Sequence, residues 1–83
     1  MSKLHCLNTS ILDTSMKERF KNASREVPTI GKIVYRIDGL ICNIFVNTGT
    51  VSFQGKTDIY TAKNIEVVTE MITLINQQHE DNL

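Results

Sequence analysis

The chain lacks net charge: nine Lys and Arg balance nine Asp and Glu over 83 residues. Affinity for a nucleic-acid backbone rests on neutralising phosphates, so this balance counts against a tight grip on long DNA or RNA. One proline and four glycines are too few for an interdomain linker, and there is no repeat or low-complexity tract. The chain is therefore read as a single domain over residues 1–83. No apolar run approaches the ~20 residues that span a bilayer. No apolar segment follows the N-terminus in the manner of a secretory leader. A cytoplasmic protein with no membrane partner is the expectation. The two cysteines, Cys6 and Cys42, are then expected as reduced, half-buried thiols, and nothing supports a bond between them. Asn8-Thr9-Ser10 and Asn22-Ala23-Ser24 fit the glycosylation pattern, but without a secretory route they are read as chance matches.

Catalytic patterns are missing as well. His5 and His79 stand near opposite ends of the chain. His5 and Cys6 are adjacent, which sends their side chains to opposite faces of a strand and prevents joint chelation. Glu66 and Glu70, four apart on a helix, are read as solvent-facing. Gly49 and Gly55 are six apart with no helix between them, and no Lys-Ser/Thr pair follows, so there is no phosphate loop. No serine has a base at readable spacing. The sequence is read as that of a non-enzyme, with no catalytic residue, no metal ligand and no cofactor.

What is present is a small foldable chain. A hydrophobic content of 41% is enough for a packed domain and argues against disorder. A chain this short buries only roughly 60–65% of its unfolded surface. A second copy could supply more burial, so a homodimer is expected. The charges are also unevenly placed. All nine Lys and Arg lie in residues 1–63 with five acids, a surplus of four positive charges; residues 64–83 carry the other four acids and no Lys or Arg.

Periodicity outlines the elements. Ser2–Leu7 alternates as a short strand, with Leu4 and Cys6 on one side and His5 and Leu7 on the other. Leu12, Met16, Phe20, Ala23 and Val27 are spaced 4, 4, 3, 4, one apolar stripe of a helix that Pro28 would end. Two capping boxes compete for its start, Ser10 with Asp13 and Ser15 with Glu18. Its outer face would carry Lys17, Arg19, Lys21 and Arg25, a solvated row or a contact for an acidic partner. Strands follow at 32–37, 40–47 and 50–54, joined at Asp38-Gly39 and Thr48-Gly49. Asp-Gly is a strong hairpin signal, because a type I′ turn needs positive φ at both positions. Ile65, Val68, Ile72 and Ile75 mark a final helix from Thr61 to about Gln78, with residues 79–83 as a frayed tail.

Two-residue turns set the register and hence the two faces. One face would hold Ile33, Tyr35, Ile37, Leu40, Cys42, Ile44, Val46, Val51 and Phe53, to be covered by the helices. The other would collect Val34, Arg36, Ile41, Asn43, Phe45, Asn47, Thr50, Ser52 and Gln54. This second face is either an ordinary solvated surface or a binding surface. An aromatic ring among amides and an arginine suits base stacking and base-edge recognition. The same groups suit a protein interface.

The run Ile44-Phe45-Val46-Asn47-Thr48-Gly49-Thr50-Val51-Ser52-Phe53-Gln54-Gly55-Lys56 resembles the strand–turn–strand hallmark of the TATA-binding-protein-like fold. It is similar, more closely still, to the N-terminal substrate-binding domain of ribonuclease HIII, through Phe53-Gln54-Gly55. The element order fits across nearly the whole chain, with "VPTIGKIVYRI" taken as one strand. The resemblance implies an α+β half-saddle, a curved antiparallel sheet of three or four strands with two helices on its convex side. It implies that the concave side binds nucleic acid. Carried over by position, Gln54 is the polar residue before the strand-ending glycine, Phe45 the aromatic before the turn, and Lys56 the basic position after Gly55. Asn43 and Ser52 share that side by alternation. The turn is one residue longer than in the TATA-binding protein. That protein has two tandem repeats where this chain has one, so a full saddle would need a homodimer, or the unit works as a half.

The expectation is a non-enzymatic module whose open sheet face binds nucleic acid or a nucleotide through Arg36, Asn43, Phe45, Ser52, Gln54 and Lys56. Phe45 would stack, and Arg36 and Lys56 would meet phosphate. The alternative is a protein–protein interaction module, such as an inhibitor, an antitoxin or a viral anti-defence protein.

Overall fold

The computed structural model describes residues 3–81. Its elements are β1 (Leu4–His5), α1 (Thr9–Arg19), β2 (Ser24–Thr29), β3 (Lys32–Ile37), β4 (Leu40–Phe45), β5 (Thr50–Gly55) and α2 (Ile59–Asp81). The strands form one open sheet in the order β1-β5-β4-β3-β2, every neighbouring pair antiparallel. The class is α+β, as the sequence indicates, but the sheet has five strands rather than three or four.

The Asp38-Gly39 hairpin forms as expected. Both residues have positive φ, 48° and 88°, and Ile37 pairs with Leu40, Tyr35 with Cys42 and Ile33 with Ile44. The next connection differs. It is a four-residue loop, Val46 to Gly49, so Phe45 pairs with Thr50 and Ile44 with Val51. The Gly49 amide donates to the Phe45 carbonyl at 2.8 Å, and the Val46 amide donates to the Gly31 carbonyl at 2.8 Å. That second bond holds Val46 against the neighbouring loop. Val46, expected in the core, is instead exposed, and Asn47 leaves the sheet. The register moves by two residues. Side chains alternate with period two, so an even shift leaves every remaining residue on its expected face.

That face is the core. Ile33, Tyr35, Ile37, Leu40, Cys42, Ile44, Val51 and Phe53 form one buried cluster with Leu12 and Met16 of α1 and Val68, Ile72 and Ile75 of α2. Both helices therefore lie on one side of the sheet. Cys42 has no exposed surface, and burial pushes its thiol up to about 12. Both cysteines are free.

The first helix is shorter than its apolar stripe suggests. It ends at Arg19, and residues 24–29 form edge strand β2 instead of a further helical turn. The Phe20 amide closes the helix on the Met16 carbonyl, and the Ala23 amide turns the chain back on Phe20. Ser24, Arg25 and Glu26 then pair with Arg36, Tyr35 and Val34, satisfying backbone groups that β3 would otherwise leave open. Pro28 sits where the β2–β3 register shifts, between Glu26 and Thr29. An edge strand tolerates its missing donor there. Neither serine caps the helix. Asn8 does, its side-chain oxygen accepting from the Ile11 amide at 3.1 Å. Asn8→Ala is expected to lower stability by about 1 kcal/mol in a urea melt.

A polar clamp ties α1 to the sheet. Arg25 donates to both Asp13 carboxylate oxygens, at 2.9 and 2.8 Å, and the Tyr35 hydroxyl donates to the same group. Lys17 stands 3.7 Å away. Burial alone would push the Asp13 carboxyl up. The bonds from Arg25 and Tyr35, with the charges of Arg25 and Lys17, outweigh it and hold the carboxyl below its ordinary value. A depressed folded pKa stabilises above the ordinary carboxylate range, and that stability disappears as pH falls through the folded value. The melting-temperature gap between wild type and Asp13→Asn should therefore be full at neutral pH and close only as pH falls below the ordinary carboxylate range.

Helix α2 opens on a reciprocal cap. Asp58 accepts from the Tyr60 and Thr61 amides at 3.0 and 2.9 Å, while the Thr61 hydroxyl accepts from the Asp58 amide at 2.9 Å. The helix starts two residues before Thr61 and runs to Asp81. Residues 82–83 of the expected tail lie outside the described residues. No described helix is long and apolar enough to cross a membrane.

Candidate functional site

The sheet face turned away from the helices presents three cross-strand rows. The first is Ser24, Arg36, Ile41 and Gln54; the second is Glu26, Val34, Asn43 and Ser52. The third is Thr29, Lys32, Phe45, Thr50 and His5. Strands ~4.8 Å apart and alternate residues ~6.8 Å apart make this a surface roughly 14 Å on each side. No helix residue belongs to it.

Five of the six sequence-derived candidates meet here. Asn43 and Ser52 are direct cross-strand partners, and the Asn43 amide donates to the Gln54 side-chain oxygen at 3.4 Å. Asn43 is only 5% exposed and Val34 6%, although neither lies under a helix. They occupy the middle row, between the two outer rows, on β4 and β3. Gln54 is exposed, while Ser52 and Phe45 are half-buried. Arg36 is exposed and is bonded by Nε to Glu26 at 2.9 Å. Both partners of that pair are more than half exposed, so salt and water compete with it.

Lys56, the sixth candidate, stands apart. It follows the last residue of β5, its amide bonded to the Gly39 carbonyl at 3.2 Å and its aliphatic stem lying beside Gly39. It is at the rim of the face, by the β3–β4 turn.

The structure adds residues that the sequence reading leaves out. Lys32 sits with its ammonium 5.3 Å from the centre of the Phe45 ring, a cation–π contact. The alternation Lys32, Val34, Arg36 was signal enough to place it. Ser24 and Glu26 arrive with β2, whose first residues the sequence reading left in the first helix; the run 27–37, taken as one strand, is instead split between β2 and β3 by a turn at Ile30-Gly31. His5 arrives because β1 pairs with β5, and its Nε2 lies 2.9 Å from the Thr48 carbonyl. Among the described residues of the face, Glu26 is the one acid, against Lys32, Arg36 and rim Lys56.

Among the described residues, one cleft touches the rim of this face at His5, beside Asn47 and Thr48, and two others lie away from it. One separates the end of α1 from the β3–β4 turn, lined by Arg19, Phe20, Lys21 and Asp38. Another lies between the helices, lined by Ile11, Ile75 and Gln78. The sheet face is thus a platform with a partly covered ring, one exposed amide, Gln54, backed by the buried Asn43, and two cations. It can stack a flat group, read hydrogen-bonding edges and attract negative charge. Comparison with protein families, curated proteins and solved structures finds no match to this chain.

Proposed function

We propose that this domain is a non-enzymatic binding module, a half-saddle of the TATA-binding-protein-like kind. It takes a short single-stranded stretch of nucleic acid on its open sheet face. The carrying observation is the uncovered three-row face, on which Phe45, Asn43, Ser52 and Gln54 stand in adjacent rows. Single-stranded recognition by sheets uses such rings for stacking and such amides for base edges. A platform roughly 14 Å wide suits two or three splayed bases. A free nucleotide would favour an enclosed pocket instead. Phe45 would stack a base once Lys32 swings to a phosphate. Arg36 would leave Glu26 for the backbone, and Lys56 would hold the strand at the rim.

Fluorescence anisotropy with labelled single-stranded RNA and DNA tests this. Three phosphate contacts give a logarithmic salt slope of about −2. Failure to bind any single strand at low salt would remove the reading. Val34 and Ile41 on the same face, with the Glu26–Arg36 pair, favour the second reading, a protein–protein module. An interface of that kind would respond little to salt.

A further inference from the structure

The basic row read along the first helix comes apart in the fold. Lys17 and Arg25 turn to Asp13. Arg19 and Lys21 are exposed and, among the described residues, make no ion pair. Both line the cleft between the end of α1 and the β3–β4 turn, a space of about 190 Å³. The Arg19 guanidinium carbon stands 5.4 Å from the centre of the Phe20 ring. Its N–H donors lie in the guanidinium plane, so a ring on the flat side leaves them to other acceptors. The cleft adjoins the first row of the open face. Asn22 and Ala23 line it and lead into Ser24 of that row; Ile37 and Asp38 line it and follow Arg36 of the same row. Two residues of chain span at most about 7 Å, so the cleft opens just around the end of the sheet, on the helix side. Lys56, its stem beside Gly39, stands on the same turn.

We propose that this cleft is a further phosphate site for the same strand. The nucleic acid leaves the open face at the first row, passes Lys56 and sets a backbone phosphate between Arg19 and Lys21. The site rests on the single-strand reading above, and it adds an exit and a greater length to the bound strand. A duplex, with a persistence length of about 150 base pairs, resists so sharp a turn; a single strand makes it freely. Asp38 is the one acid among the lining residues and opposes the phosphate. Asn at that position would remove the charge and keep the turn, because Asn accepts positive φ and suits a type I′ hairpin.

Anisotropy with a 5′-phosphorylated trinucleotide and an octanucleotide, each labelled at its 3′ end, tests the site. The trinucleotide reaches the face alone, and its logarithmic salt slope should be about −2; a fourth phosphate contact takes the octanucleotide to about −2.8. Arg19→Ala with Lys21→Ala should weaken the octanucleotide roughly 3- to 30-fold and return its slope to about −2. The trinucleotide should stay within about twofold of wild type in that variant. Asp38→Asn should tighten the octanucleotide by roughly twofold and leave the trinucleotide unchanged. Lys63→Ala, exposed on α2 and outside the cleft, should change neither. Circular dichroism checks that each fold is kept. An octanucleotide that ignores the double variant overturns the cleft site while the face stands. So does an equal loss at Lys63→Ala, which would mean a diffuse attraction. Failure of both strands to bind at low salt removes the face and the cleft together.

Discussion

Gly55→Ala should lower stability by about 3–4 kcal/mol, seen as a shifted midpoint in urea with the slope unchanged. Gly55 ends β5 opposite Leu40, with φ at +109°. L-residues reach that region only with strain of roughly 1–3 kcal/mol. The added carbon would also collide with the Gly39 carbonyl oxygen, and the Gly39 carbonyl carbon stands 3.3 Å from it. Both atoms are backbone, so no rotamer change relieves the contact. Gly39 cannot retreat easily, since it is the second residue of the tight turn and its oxygen accepts from the Lys56 amide. A domain of this length holds only about 4–12 kcal/mol in total. The variant should therefore lose at least about a quarter of that total. A wild-type midpoint would mean that β5 does not end against the β3–β4 turn.

Phe45→Ala combined with Gln54→Ala should abolish single-strand binding while the fold survives. Stacking on one aromatic ring contributes ~1–3 kcal/mol per base, and a lost edge hydrogen bond about another 1 kcal/mol. Together they correspond to a fall in affinity of roughly 30- to 1000-fold. Neither side chain belongs to the buried cluster, Phe45 being half-buried and Gln54 exposed. Melting should move by only a few degrees. Lys32, Arg36 and Lys56 remain, so any residual binding should be weak and still sensitive to salt. Unchanged affinity in the double variant would exclude the sheet face as the contact surface.

Much of this face is legible along the chain. Arg36, Asn43, Phe45, Ser52 and Gln54 share a side because strand side chains alternate, and alternation is a property of each strand alone. Even the misjudged loop, four residues rather than two, left the assignment intact because the register moved by an even number. The stripe at Leu12, Met16, Phe20, Ala23 and Val27 shows where such reading fails. It fits a helix to its last residue, yet the chain turns at Phe20. What wins is remote: β3 needs a partner for its open edge, and Arg25 reaches Asp13 only from a strand beside Tyr35. Lys56 shows a related failure, since alternation says nothing once the strand has ended.

Local chemistry by itself decided the facing of each strand residue, the type I′ turn and the apolar stripe of α2, because each depends on neighbours a few positions away. Only the folded chain decided that β2 exists, that β1 closes the far edge and brings His5 to the platform, and that Glu26 answers Arg36. Those outcomes depend on backbone hydrogen bonds and charges between segments far apart in the chain, and no periodicity within a segment encodes its neighbour.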